Sequence, residues 1–404
     1  MDVMFLESEP ENPREGSVGR RAAVVTAALA SAALLATGCS QGGGSAPAPP
    51  ASASASAPAS APASGGTDEP SAPAKGTAEV TGTVATGLTT PWGVVALAEG
   101  DLLVASRDTG SIVRVAAGSG RTKTVGTVPG VSSGGEGGLL GLAVSRDFAT
   151  DHLVYAYFTT DSDNRIARML YDPAKPAGEQ LGAPDTILRG IPHGAIHNGG
   201  RIAFGPDGML YAGTGESGER GLAQDRKSLG GKILRMTPDG EPVHGNPEAD
   251  SVVYSYGHRN VQGLAWDSRG RLWAAEFGQD TWDELNLIEP GKNYGWPVVE
   301  GLAHRDGYAD PVAQWRTDDA SPSGIAYADG SIWMASLRGA RLWRIPLVGT
   351  KAAADPQAFL VGEYGRLRTV LADPDGGLLL TTSNTDGRGD PRKGDDRILR
   401  LRVS

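Results

Sequence analysis

The chain has 404 residues, a formal net charge of −10 and a single cysteine. Such an acidic balance is a poor match to nucleic-acid phosphates, and one cysteine cannot build a disulfide scaffold. A 39% share of hydrophobic residues supplies the core of one large domain.

In chain order, residues 1–39 hold Arg20-Arg21, an apolar run from Ala22 to Ala36, and then Thr37-Gly38-Cys39. A run of about 15 residues suits the apolar region of a signal peptide and is short for a membrane span. The order resembles a bacterial lipoprotein signal, with Cys39 as the lipidated first residue of the mature chain. That implies a lipid anchor and an extracytoplasmic place; a plain secretory signal with a free thiol is the alternative. Residues 40–76 are rich in Ser, Ala, Pro and Gly and nearly free of bulky apolar side chains. Such a segment reads as a flexible tether. Residues 77–404 are expected to form the folded domain.

Within 77–404 one phrase recurs: an apolar strand, a Gly/Asp turn, and a second strand ending in small residues. It begins at Trp92, Leu139, Arg201, Gly263, Gly324 and Val370, at spacings of about 46 to 62 residues. Asp-Gly or Arg-Gly sits where a hairpin needs positive φ. SIVRVA, KILRMT, RLWRIP and DRILRLRV supply further strands, and no strong helical period is present. Six such units predict an all-β fold, a six-bladed β-propeller with four-stranded antiparallel blades. Closing the ring requires AEVTGTVATGL near the start to share a blade with DRILRLRV at the end. A β-sandwich pair or a seven-bladed ring is the competing reading.

Propeller loops converge on the central channel, so residues far apart in sequence can meet there. The loops hold Glu136 in a Gly-rich turn, His197 in HNGGR, Arg259-Asn260 after His258, Arg338 in SLRGARL, and Arg366 and Arg368 in GRLR. Imidazole suits proton transfer near neutral pH. Arginines bind planar carboxylates through paired hydrogen bonds, so four of them in an acidic chain point to a ligand with several carboxylates. Each has a plainer reading: a loop histidine bonded to backbone, a structural glutamate, arginines paired with surface acids. The oxygen-rich segment from Glu276 to Glu284, followed by Asn293-Tyr294-Gly295-Trp296, suits calcium better than zinc. It also reads as a solvated acidic loop.

GLLGLAVSRDF, HNGGRIAFGPDGMLYAGTGE, SLGGKILRM, YSYGHRNVQGLAWD, DELNLIEPGKNYGWPVVEG and SPSGIAY together resemble the quinoprotein soluble aldose/glucose dehydrogenases, the glucose/sorbosone dehydrogenase family. The resemblance implies a six-bladed propeller that uses pyrroloquinoline quinone (PQQ) and calcium to oxidise sugars at C1 to the lactone. It implies His197 as general base, Glu216 as the acid that tunes it, and Arg259 and Asn260 as holders of the quinone, with Arg259 also catalytic by stabilising negative charge on the quinone oxygens. Arg338, Arg366 and Arg368 would clamp the cofactor carboxylates, with Glu136 beside the cofactor and substrate. Gly278 and Gln279 would offer carbonyls to the cofactor calcium, and Glu284 and Tyr294 would serve a second, structural calcium. The chain departs from the family at Glu136 (often Gln), Arg338 (Lys in some members), Gln279 (Pro) and Ile196 (Asp in the glucose-oxidising branch), and these departures bear on sugar choice. The implied partners are a sugar substrate, an electron acceptor that the sequence does not identify, and a membrane through Cys39. Two other functions compete: a non-catalytic extracellular binding propeller, expected to have lost His197 or Arg259, and a calcium-dependent lactonase. The lactonase would use Glu136, Asn198 and Asn260 as a metal cage and has no need of the arginines.

Overall fold

The computed structural model describes residues 71–404. Cys39 and residues 1–70 lie outside the described residues. Strands dominate; helix is confined to one turn at Phe148–Asp151 and a 3-10 turn at Arg220–Ala223 among the described residues.

Six antiparallel sheets follow one another along the chain. Their first strands are Pro91–Ala96, Leu139–Val144, Ile202–Phe204, Val261–Trp266, Pro322–Ala328 and Leu367–Ala372. Five of the sheets have four strands, and the fifth sheet along the chain adds the short strand Lys351–Ala352. The first strands line the axis, where they pack against one another around the ring. The ring closes as the sequence predicts: Ala78–Ala85 pairs antiparallel with Ile398–Val403, from Ala78 opposite Val403 to Ala85 opposite Ile398. First and last strands of the domain therefore share the sixth blade.

The recurring hairpin is the unit of this architecture. Leu210, Tyr211 and Ala212 pair with Phe204, Ala203 and Ile202 across an Asp207-Gly208 turn in which Gly208 takes φ +81°. A Cβ is disfavoured there, which is why glycine marks the turns. The second blade uses the single helical turn instead, ending at His152 with φ +52°.

The core is divided, with six apolar clusters at the six blade junctions. Leu140, Tyr155 and Tyr157 meet Ile202, Leu210 and Leu234 between the second and third blades. Trp273 and Ala275 meet Ile332 and Met334 between the fourth and fifth, and Trp333 packs with Leu378 and Leu399 between the fifth and sixth. Each sheet thus buries both faces, which explains continuous apolar runs such as LLVAS and SIWMAS rather than strict alternation.

The packed chain begins before residue 77. The Ala72 amide donates to Leu347 O (3.0 Å), Arg344 donates to Pro73 O (3.0 Å), and the Gly76 amide donates to Gln357 Oε1 (2.8 Å). The last residues assigned to the tether are docked on the fifth blade, because backbone groups there find partners that a Ser/Ala/Pro composition does not reveal.

Candidate functional site

A cavity of about 470 Å³ opens where the axial strands begin, lined by loops from around the ring. Its walls include Glu136, His197, Arg259, Asn260, Gly278, Gln279, Arg338, Arg366 and Arg368.

His197 sits in the loop feeding the third blade, with φ +55°. That conformation is uncommon for a side chain larger than glycine and is held from three directions. Its amide donates to Glu136 Oε2 (2.9 Å), its carbonyl accepts from the Ser217 amide (3.0 Å), and its Nδ1 lies 2.7 Å from Glu216 Oε1. Glu216 is buried, and its second oxygen has no partner. Gly215 permits this approach, since a Cβ there would lie 1.9 Å from His197 O. In HNGGR, the Gly199 amide donates to Asn260 Oδ1 (2.9 Å), tying the histidine loop to the next blade.

Arg259 is largely enclosed. It lies 5.4 Å from the Trp296 ring centroid, and its Nε is buried without a partner. Burial lowers its pKa, an effect opposed by Glu216 and Glu276. The neighbouring His258 takes no part in the cavity wall: its Nδ1 meets Glu276 (2.7 Å), its Nε2 meets Ser255 (2.8 Å), and its ring stacks on Tyr294 at 4.7 Å.

Arg366 and Arg368 alternate along the chain and share one carboxylate. Asp386 Oδ2 accepts from Arg366 Nε at 2.9 Å and from Arg368 Nη2 at 3.3 Å. Burial pushes the Asp386 pKa up, but Arg368 and Arg366 overcome it and the net shift is down. Burial also lowers Arg368 to about 10. Arg338 differs from the other three arginines: its side chain is 63% exposed at the rim and paired with Asp318. The enclosed clamp is therefore narrower than four equivalent arginines.

Gly278 and Gln279 line the cavity, with their amides donating to Asp283 Oδ1 (2.8 Å) and Glu300 Oε1 (2.8 Å). Burial raises Asp283 to about 6. Glu284 and Tyr294 lie outside the cavity wall and bond different partners. Glu284 accepts from the Gly301 amide (2.7 Å) and Asn286 Nδ2 (3.0 Å), and burial with the nearby Glu276 raises it to about 8. The Tyr294 hydroxyl donates to Leu287 O (2.6 Å) and accepts from the Glu289 amide (2.9 Å). Among the described residues, no group of three His, Cys, Asp or Glu side chains is placed to hold a metal.

The cavity also holds residues that sequence reasoning missed: Arg107, Asp386 and Arg388. Arg388 bridges 252 positions to meet Glu136 Oε1 at 2.9 Å, so the negative charge beside the histidine is neutralised. The repeat offers a signal for Arg107. It directly follows the second strand of its blade, Leu102–Ser106, at the place that Leu337, the neighbour of Arg338, holds after Ser331–Ser336. In total six arginines face three carboxylates, Glu136, Asp283 and Asp386.

The profile of the family described as "Glucose / Sorbosone dehydrogenase" matches residues 88–399. The chain belongs to this family. A solved structure described as the PQQ-bound form of aldose sugar dehydrogenase from Streptomyces coelicolor is 72% identical, with TM-score 0.81, covering 82% of this chain and all (100%) of that one. Quinoprotein glucose dehydrogenase B of Acinetobacter calcoaceticus is 33% identical over 270 residues, 57% of this chain and 56% of that protein. Aldose sugar dehydrogenase YliI of Escherichia coli is 28% identical over 328 residues, 74% of this chain and 88% of the relative. As a member of the glucose/sorbosone dehydrogenase family, the chain is an oxidoreductase.

Proposed function

We propose that this chain oxidises aldose sugars at C1 to the lactone, with PQQ and calcium in the axial cavity and His197 as general base. Sugar dehydrogenase activity of the quinoprotein kind is the family's. The finer reading rests on one observation above others: a histidine fixed by a buried carboxylate, on the wall of a cavity where guanidinium groups outnumber carboxylates two to one.

The residues fit the cofactor. PQQ is planar and carries three carboxylates, which suits guanidinium forks. Arg366, Arg368, Arg338, Asn260 and Arg259 would hold it, and the unpartnered Arg259 Nε is a buried donor suited to an anionic oxygen. The carbonyls of Gly278 and Gln279 would hold its calcium. A second calcium at Glu284 and Tyr294 has local support in Asn286 Oδ1, a buried oxygen without a partner next to Glu284. Bound there, PQQ with its calcium supplies an electrophilic quinone that takes up hydride.

The chain's own groups do the proton work. Glu216 Oε1 accepts a hydrogen bond from Nδ1–H in this reading, which leaves the lone pair of His197 on Nε2, available to the sugar's C1 hydroxyl. Glu136 fixes the backbone under the ring, and Arg259 places positive charge where oxygen becomes anionic. The lactonase cage is not assembled: Asn198 Oδ1 accepts from Asn164 (3.0 Å) and Gly194 (3.1 Å), while Glu136 and Asn260 are engaged as described. A decayed binding module is disfavoured by the retention of His197, Glu216 and Arg259 in one place. The lipid anchor at Cys39 and the extracytoplasmic location remain part of the proposal.

The test adds PQQ and calcium to purified protein and follows aldose-dependent reduction of an artificial acceptor dye. Dye reduction is expected, and His197→Ala is expected to lower kcat/KM by about 10²-fold or more. Absence of turnover with every aldose would overturn the reading.

A further inference from the structure

The six axial strands share one register position, occupied by Gly93, Gly141, Gly263, Gly324 and Thr369 and, directly before Ile202–Phe204, by Arg201. Glycine there lets neighbouring strands approach: a Cβ on Gly93 would lie 2.5 Å from Leu140 O, and one on Gly263 would lie 2.4 Å from Ser323 O. Arg201 and Thr369 break the pattern, and Arg201 sends its side chain across the axis. Nε donates to Gln262 O on the fourth blade (2.8 Å) and Nη2 donates to Thr369 Oγ1 on the sixth (3.1 Å). The guanidinium carbon lies 4.4 Å from the ring centroid of Trp92 on the first. One side chain of the third blade thus joins three others.

Trp92, Gln262 and Arg368 belong to the cavity described above. Arg201 and Thr369 line a second cavity, walled by the downstream halves of all six axial strands, and no residue lines both. The axial strands run the same way around the ring, so the second cavity is the opposite mouth of the central channel. Arg201 lies between the two, one side-chain layer below the floor of the site.

Arg201 is only 8% exposed, and none of its hydrogen-bond acceptors among the described residues is a carboxylate. Burial pushes its pKa down to about 9, and the nearby Arg368 adds to that shift. A leucine or methionine would close the channel without burying a charge. An uncompensated cation held under a cavity is understandable where the ligand above is a polyanion.

We propose that Arg201 is a positioning residue of the site: it seals the central channel and fixes a positive charge beneath the cavity that strengthens binding of a polycarboxylate. The naming of PQQ as that polycarboxylate rests on the functional reading above.

The experiment titrates the apo-protein with PQQ and, separately, with benzene tricarboxylate, by calorimetry, for the wild type, R201K, R201Q and R201M. Thermal unfolding of each variant is followed by circular dichroism. R201Q and R201M are expected to bind both probes roughly tenfold more weakly, and R201K is expected to stay within about threefold of wild type. Wild-type affinity in a folded R201M, or equal weakening in R201K and R201M, overturns the proposal, the second because shape rather than charge would then matter. If R201M does not fold, R201K against R201Q decides by the same criterion. A wild type that binds the tricarboxylate but not PQQ sinks the dehydrogenase reading and leaves Arg201 to be judged on the tricarboxylate. A wild type that binds neither overturns both.

Discussion

His197 is held by more contacts than its chemistry needs, and that over-determination keeps a left-handed backbone in place. Glu216→Gln keeps the volume and removes the charge that favours the Nδ1 proton. Its kcat is expected to fall roughly tenfold or more with little change in KM, measured in the dye assay. Asp386 is the second critical residue, since it is the buried counter-charge of Arg366 and Arg368. Its native pKa is lowered relative to an unfolded value of about 3.9. The unfolded state therefore binds its proton first as pH falls, so the stabilisation is present above about pH 4 and is lost as pH drops through the native value. Asp386→Asn is expected to lose about 3–5 kcal/mol at pH 7 and to flatten the acid limb of stability against pH, read by denaturant titration across that range.

Among the elements, the hairpin was the most legible, because an apolar strand followed by a positive-φ turn is a local signal. Apart from Ala78–Ala85, the outer strands of the blades were not, since strands such as Thr122–Thr127 and Ala313–Arg316 are short and partly polar. The loop between the second and third strands of the third blade depends on a buried amine. Lys232 Nζ donates to Leu222 O (2.7 Å), Ala223 O (3.1 Å) and Gly230 O (2.6 Å). Lys232→Met would leave Leu222 O and Gly230 O without a donor, at about 1–3 kcal/mol for each that stays dry, while Ala223 O keeps the Gly257 amide (2.9 Å). A loss of at least about 2 kcal/mol in urea unfolding is expected, accompanied by weaker activity because Glu216 begins the same loop.

For the molecule as a whole, ring closure is the decisive feature. Removing Ala78–Ala85 strips the outer strand from the sixth blade and exposes the edge of Ile398–Val403. Such a truncation is expected to aggregate and to lose a single cooperative melt, seen by light scattering and calorimetry. Charge is also distributed at this scale: a chain of net charge −10 carries a cavity with six arginines and three carboxylates. Affinity for a polycarboxylate should fall as salt rises from about 50 to about 500 mM, less steeply than for a surface site because the pairs are partly enclosed.

The sequence by itself determined the six hairpins, the closure of the ring and most of the residues that meet at the axis, because strand pattern and turn chemistry are written locally. Glu136, His197, Arg259 and Arg366 were legible there as loop residues, whereas Arg368, expected in the same loop, lies on the axial strand Leu367–Ala372. Only the tertiary structure decided how their charges balance. Arg388 neutralises Glu136 from 252 positions away, Asp386 joins two guanidiniums, Arg338 stays at the exposed rim, and Arg201 reaches across the channel from the head of its strand. Electrostatic partners are set by distance in space, and a closed ring brings together residues whose separation along the chain carries no trace of that contact.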